Sequence, residues 1–418
     1  RQQGSSLSGT EVQLTAGGNL TLKGAEVQAT AGDASLKGKT VALLAEEDSQ
    51  RTSAVQRSTG GGLYYTGGLD RVGSGLDFAH STSGDSRTTT TAQTSTVQSS
   101  GNLNIDAEKL ITEGAQVTAG KGLVVDAGDI DNRVARDTDS STHKESNWSA
   151  DIGVNLEVKG ITRPLADAVK SAIDGKVPDV GALGKLGQPD LGIDVAIGHQ
   201  SAGRQVLNGI DKVSQFQGGT VDVKAAGLLQ DQGTRYEATA GKVNISADRL
   251  IANAASITQG SDDRALDAKV DVRVYTKTGE DLNVAGSGEG GSRQTRKETS
   301  TAVVGRYAGS QGVSINLGGD GQFEGSQFDG GEGGVTVKAG GNLALNQAND
   351  RQDSDTSSLR GNASLTVGTL PGTNDTNINL GAGVQLDYKG DQTRDSQARV
   401  ASIEGQGPVT LSSGGDLV

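Results

Sequence analysis

Apolar and polar residues alternate along much of the chain in short runs such as Val12 and Leu14, Leu20 and Leu22, and Val41 and Leu43. A period of two is that of a strand with one face buried. Glycine and small polar residues bound each run, as turns between strands require. The phrase Lys23-Gly24-Ala25-Glu26-Val27 returns as Glu113-Gly114-Ala115-Gln116-Val117, as Gln232-Gly233-Thr234-Arg235-Tyr236 and as Glu324-Gly325-Ser326-Gln327-Phe328. Each copy leads through a small or glycine-rich turn into another alternating run: Ala34-Ser35-Leu36, Leu123-Val124-Val125, Val243-Asn244-Ile245 and Val335-Thr336-Val337. A fainter fifth copy starts at Ile403. In the first block a finer spacing of fourteen or fifteen residues links Ser8–Val12, Lys23–Val27 and Lys37–Val41.

A rung of two or three short strands cannot cover its own apolar face, but rungs stacked at about 4.8 Å cover one another. The repeat therefore predicts an all-β fold, an elongated right-handed parallel β-helix. Its rungs fall at about residues 4–45, 100–129, 218–257, 313–349 and 399–418 of one repeat region spanning 1–418. The structural signature is Gly24, Gly114, Gly233 and Gly325 at the turns, with Val27, Val117, Tyr236 and Phe328 stacked three residues later.

Long excursions separate the rungs, at about residues 46–99, 130–217, 258–312 and 350–398. Each opens on a Ser/Thr/Asp-rich approach: Glu46–Ser58, Asp137–Ser146, Ser261–Arg264 and Asp350–Ser358. Strand-like alternation follows, as in Trp148, Ala150, Ile152, Val154, Leu156 and Val158, or in Val270, Val272 and Val274. A return run, Leu191, Ile193, Val195 and Ile197, makes the second excursion an antiparallel β-hairpin. The last pairs Leu365 and Val367 with Ile378, Leu380, Val384 and Leu386 around a turn at Pro371-Gly372-Thr373-Asn374. One short helix is expected at the tip of the second excursion, capped by Thr162, with Pro164 in its first turn and Leu165, Val169 and Ile173 on one face. The legs have the length and dyad pattern of strands in a membrane barrel. Trp148, Ile152, Val154, Leu156 and Val158 are accordingly the candidate contacts with a membrane or a partner. The same alternation suits a soluble hairpin lying on the β-helix, and both readings stay open at this point.

Composition narrows the class. The chain has 64 glycines, only 5 prolines, 33% hydrophobic residues and 3% aromatics. Glycine at about double its usual share with so little proline favours a regular, turn-dense backbone, and the thin apolar content favours an elongated core. No apolar run approaches the ~20 residues of a transmembrane helix. The absence of cysteine removes disulfides and thiolate chemistry. A net charge of −13 argues against a nucleic-acid partner. Repeat-like sequence at Arg1 and Val418 reads as an internal piece of a longer polypeptide.

Little in the chain reads as catalytic. Some β-helices act on polysaccharides with two carboxylates about 5–9.5 Å apart. Here the acids gather in the approaches (Glu46, Glu47, Asp48; Asp262, Asp263; Asp350, Asp353, Asp355), where solvation explains them. His80, His143 and His199 are scattered and lack metal-ligand spacing. Gly38-Lys39-Thr40 and Gly286-x-Gly288-x-x-Gly291 match phosphate and dinucleotide loops by letter only, with no helix to follow. The expectation is a non-enzyme with no catalytic residue, metal, cofactor or small-molecule substrate.

The phrases Ala16-Gly17-Gly18-Asn19-Leu20-Thr21-Leu22, Ser99-Ser100-Gly101-Asn102-Leu103-Asn104-Ile105, Ala339-Gly340-Gly341-Asn342-Leu343-Ala344-Leu345 and Ser412-Ser413-Gly414-Gly415-Asp416-Leu417 resemble the haemagglutinin repeats of filamentous haemagglutinin-type exoproteins. Rungs interrupted by Ser/Thr-rich insertions look most like the second haemagglutinin-repeat region of contact-dependent growth inhibition effectors of the CdiA type. The resemblance covers the rungs, less than half of the chain. It implies a chain exported by an outer-membrane secretion partner in two-partner secretion, and secreted or at the surface of a Gram-negative bacterium, with a periplasmic hold before export. It also implies a part in passing a C-terminal toxin across the target cell's outer membrane. The alternatives are an adhesin shaft and a polysaccharide-active β-helix enzyme.

Overall fold

Nine short strands stack in chain order as one parallel sheet: Ser6–Gly9, Glu26–Ala29, Thr96–Ser99, Gln116–Ala119, Gln215–Gly218, Arg235–Ala238, Arg306–Gly309, Gln327–Asp329 and Ser402–Glu404. The structure, a computed structural model, describes residues 4–68, 70–158, 170, 189–278, 280–369 and 378–418. After each short strand the chain turns into a second parallel sheet, whose central members are Ala34–Leu44, Leu103–Glu113, Gly122–Arg133, Thr220–Gln232 and Val243–Asn253. One pass across both sheets is a rung, and the stack is β-helix-like and nearly all-β. Rungs recur about every twenty residues, Leu7 pairing with Val27 and Val97 with Val117. This replaces the finer spacing expected from the first block, because Gly38 lies inside the single strand Ala34–Leu44 and makes no turn.

The period of two explains the core. In the first sheet one ladder runs Val27, Val97, Val117, Phe216, Tyr236, Tyr307, Phe328 and Ile403, each residue directly beside the next. In the second, Leu36, Ile105, Val125, Val223, Ile245, Ile315 and Val337 form another. The two ladders face each other and are buried, apart from the half-buried Ile403 at the end of the first. Rungs at strand spacing bring Phe216, Tyr236, Tyr307 and Phe328 into a ring stack with centroids 5.2, 5.5 and 5.1 Å apart. Each such buried side chain contributes roughly 1.5–3 kcal/mol.

Rungs leave the second sheet in two alternating ways. Some turn at a glycine: Gly24, Gly114, Gly233 and Gly325 have φ of 55, 60, 63 and 61°, which other residues adopt only with strain. The others run out into four long antiparallel hairpins: Glu46–Gly67 with Arg71–Gln93, Ala135–Glu157 with Asp190–Lys212, Ala255–Thr276 with Asn283–Val303, and Ala348–Thr369 with Ile378–Arg399. Ile130 and Phe216, inside the second excursion as bounded from sequence, are core residues of the rungs, and its hairpin starts only at Ala135. The expected helix and the Pro371–Asn374 turn fall outside the described residues, apart from Lys170.

The hairpins do not lie on the shaft. They pair edge to edge into one eight-stranded antiparallel sheet in chain order. The reason is dimensional: successive hairpins leave the shaft two rungs apart, about 9.6 Å, and a two-stranded hairpin is about 9.6 Å wide. The glycine turns fill the space between the roots, where a Cβ on Gly233 would lie 2.9 Å from Ala255 and 2.7 Å from Val213. Each seam is also closed by an aspartate. Asp137, Asp211 and Asp350 accept hydrogen bonds of 2.8 Å from the backbone N–H of Ala92, Ser256 and Ala302 on the neighbouring hairpin. Lys212, Arg136 and Arg399 balance the three charges at 3.0, 3.4 and 2.8 Å.

Candidate functional site

In an antiparallel sheet directly paired residues share a face, so register shows what each side of the eight strands presents. One row reads Leu63, Leu76, Ile152, Val195, Val272, Gly286, Leu365 and Ala382. The next toward the tips reads Tyr65, Ser74, Val154, Ile193, Val274, Val284, Val367 and Leu380. Toward the shaft follow Phe78, Ala150, Ile197, Val270 and Val384, then His80, Trp148, His199 and Leu386. The rows between them, on the opposite face, are glycine, serine and charge: Gly62, Asp77, Asp151, Ala196, Asp271, Ser287, Ser364 and Gly383.

The apolar face is open to solvent, and beyond the hairpin roots the opposite face is buried only near the tips. Leu63 is 87% exposed, Ile152 46% and Val154 51%, whereas Gly153 is buried and Asn155 is 2% exposed on the other side. Trp148 and Leu156 belong to the open face, while Val158 lies past the strand end, half-buried, its N–H donating to the Asp70 carbonyl at 2.8 Å. From Trp148 to Leu156 the face runs eight residues, about 27 Å, and its eight strands span about 34 Å. Tyr65, Trp148 and Tyr388 stand on it, Trp148 stacked on His199 at 4.1 Å. Tyr64 and Tyr275 are on the polar face. There Tyr64 lies over Gly75 and Gly153, whose missing side chains make room for it.

Near the tips the polar face carries an ionic cluster across four strands. Arg71 pairs with Asp194, Arg273 with Glu157 at 2.7 Å, and Asn155 donates to Asp194 at 2.5 Å. At the tip of the third hairpin the Asp281 carboxylate accepts from the Thr278 N–H and hydroxyl, both at 2.7 Å, which holds it well below the usual carboxylate range. Toward the shaft both faces become Ser- and Thr-rich. The roughly ten residues between root and apolar face hold that face about 30 Å off the shaft.

At the boundary between these zones lies a shallow trough of about 890 Å³. Val55, Leu266 and Leu359 line it together with Lys144 and Arg264.

A second chemically distinct feature is inside the shaft. Thr112, Asn132 and Asp231 occupy successive positions of one inward-facing ladder otherwise apolar, between Leu43 and Ala252. Asn132 donates to Asp231 at 2.7 Å, and the Tyr236 and Tyr307 hydroxyls donate to it at 2.9 and 3.2 Å. Ser214 joins through Thr112 at 2.7 Å and accepts from the Ala115 N–H at 3.2 Å. Burial pushes the Asp231 carboxyl up to about 6, against the lowering effect of its donors.

Of the residues singled out from sequence, the four signature glycines sit at the turns beneath the hairpin roots, and Val27, Val117, Tyr236 and Phe328 occupy alternate steps of one ladder. The intervening Val97, Phe216 and Tyr307 lack that signature, because a hairpin leg and not a left-handed glycine turn leads into each. His80 and His199 flank Trp148 in one row, and His143 bonds Asp85 at 2.7 Å on the other face. Among the described residues no group of three or more His, Asp or Glu is placed to hold a metal ion.

The model of the hemagglutinin repeat family matches residues 1–150, 211–358 and 347–418. A hemolysin of Serratia marcescens is 35% identical over 418 residues, 99% of this chain and 26% of that protein. A hemolysin of Proteus mirabilis is 29% identical over 435 residues, 100% of this chain and 27% of that protein. The chain thus spans about a quarter of the length of the curated relatives it matches. With its phrases repeated rung upon rung and the family model covering most of its length, the chain belongs to the hemagglutinin repeat family.

Proposed function

We propose that this repeat region engages a lipid bilayer through the distal halves of its four hairpins, as a non-catalytic part of a large secreted exoprotein of the two-partner type. The observation that carries the reading is the sidedness of the hairpin sheet, with leucines, isoleucines and valines open to solvent on one face and glycine, serine and charge on the other. In water so wide an apolar patch is costly, and patches beyond a few hundred Å² mark protein or membrane contacts. In lipid the same face is stabilising by about 25 cal/mol per Å². Its extent of about 27 Å suits a hydrocarbon core of ~30 Å, and the polar face behind it then meets water, as in the wall of a membrane barrel. The outer strands Glu46–Gly67 and Ile378–Arg399 are the edges of this wall, and lipid tolerates no unpaired edge. Pairing with further strands, from a longer chain or a second copy, meets that need.

The hemolysin names of the relatives fit a region that acts on membranes. The finer role, helping a C-terminal toxin cross a target cell's outer membrane in contact-dependent inhibition, uses the same step. It places the full-length chain at a Gram-negative cell surface, exported by an outer-membrane partner. The shaft in this reading winds right-handed, as crossovers between parallel strands of twisted sheets do in nearly all proteins.

Flotation of the purified chain with phosphatidylcholine vesicles tests the proposal. The intact chain is expected to rise with the vesicles. The variant Ile152→Ser, Val154→Ser, Ile193→Ser and Val272→Ser stays in the dense fraction with an unchanged far-ultraviolet circular dichroism spectrum, since all four side chains are exposed in water. An intact chain that stays in the dense fraction overturns the reading.

A further inference from the structure

The shaft-side border of the apolar face is built differently from the rest. Its last two rows read Arg57, Thr82, Ser146, Ser201, Leu266, Ser292, Leu359, Tyr388 and Val55, Gly84, Lys144, Gly203, Arg264, Gln294, Ser357, Gly390. They hold three cations and no acid, although Glu145 also lines the trough and Asp262 in the next row toward the shaft pairs with Arg264. Lys144 and Arg264 stand on either side of Gly203, two strand spacings or about 9.6 Å apart, with the trough between them. The small residues Gly84, Gly203, Ser201 and Ser292 make it concave, and Leu266 and Leu359 form its wall toward the tips. Asp262 grips the Arg264 guanidinium with two hydrogen bonds of 3.1 and 2.8 Å, fixing its direction, while Lys144 is exposed and has no ion pair among the described residues.

We propose that this trough takes the phosphate of an anionic membrane lipid, bound by Lys144 and Arg264, with the acyl chain lying along Leu266 and Leu359 into the apolar face. The inference rests on the membrane reading and adds the lipid class and the depth at which insertion stops. The two groups of the site sit where such a lipid divides: Lys144 and Arg264 toward the shaft, Leu266 and Leu359 one row nearer the tips. A general attraction to anionic surfaces cannot stand in for it. The chain carries a net charge of −13, which repels them, so a preference for anionic lipid has to come from a local site.

The test compares flotation on phosphatidylcholine vesicles with flotation on vesicles containing phosphatidylglycerol, for the intact chain and for the double variant Lys144→Gln, Arg264→Gln. The intact chain is expected to need about tenfold less of the anionic lipid. The double variant should lose that preference, keep its binding to phosphatidylcholine and keep its circular dichroism spectrum. Equal binding of the intact chain to both vesicles, or a preference that survives in the double variant, overturns the lipid site and leaves the membrane reading standing. Flotation on neither vesicle removes both. Release from anionic vesicles by inorganic phosphate at matched ionic strength would assign the trough to soluble phosphate and overturn the lipid assignment.

Discussion

Asp231 should make the stability of the shaft fall as pH rises through the mildly acidic range. Asp231 is 1% exposed, and burial raises its carboxyl to about 6 in the folded chain, against about 3.9 in the unfolded one. Between these values the folded state holds a proton that the unfolded state has released, so unfolding free energy declines by about 1.36 kcal/mol per pH unit. The contribution is complete below about pH 4 and gone above about pH 7, a span of about 3 kcal/mol. Substituting Asp231→Asn removes the titration while leaving an acceptor for Asn132 and a donor for the Tyr307 hydroxyl. Guanidinium unfolding followed by far-ultraviolet circular dichroism, for both proteins from pH 4 to pH 7.5, isolates the effect from all other titrating groups. The stability of the variant relative to the native chain is expected to climb by about 3 kcal/mol across that range. A difference that stays flat, or that falls with rising pH, would refute the reasoning, since Asp231 would then be charged throughout or exposed.

Two further outcomes follow from the roots of the hairpins. Gly233→Val combines a strained backbone at φ 63° with a Cβ 2.9 Å from both Ala255 and the Val303 carbonyl, and should cost about 2–4 kcal/mol, read as a lowered unfolding midpoint. Asp350→Ala should cost about 1–2 kcal/mol by leaving the Ala302 N–H and Arg399 without their carboxylate, with faster amide exchange at Ala302 as the local sign. Because Arg399 holds the Asp350 carboxyl below its usual value, the native seam keeps this contribution at neutral pH and loses it only as pH falls through that lowered value.

How far the sequence could be read depended on the range of the interactions involved. Alternation in Val12 and Leu14 and the turn at Gly24 are local, so the parallel stack and its glycines are visible in the chain itself. Phe216 and Tyr307 join the same ladder only after a hairpin has been traversed, and no glycine stands three residues before either, as it does in the signature copies. The legs around Ile152 and Ile193 show their period, but Leu63 sits between glycines and a pair of tyrosines and reveals its face only once paired with Leu76. Union of the hairpins into one sheet is less legible still. It rests on the height of each root on the shaft, a distance in space that no run of residues spells out. Asp231 is an isolated acid in sequence. Its setting comes from Asn132, Tyr236 and Tyr307, one of them ninety-nine residues away.

The match between rung height and hairpin width constrains how such a chain can change over generations. Duplicating two rungs with one hairpin inserts two strands and leaves every later strand with the neighbour it needs. Losing a single rung would shift all subsequent hairpins by half their width and force every seam beyond it to break or re-form. Length at the tips is exempt, since a longer tip disturbs no spacing at the roots, and the second hairpin carries more than thirty residues between its legs. Chains built this way are expected to vary freely in tip length while growing or shrinking along the shaft only in steps of two.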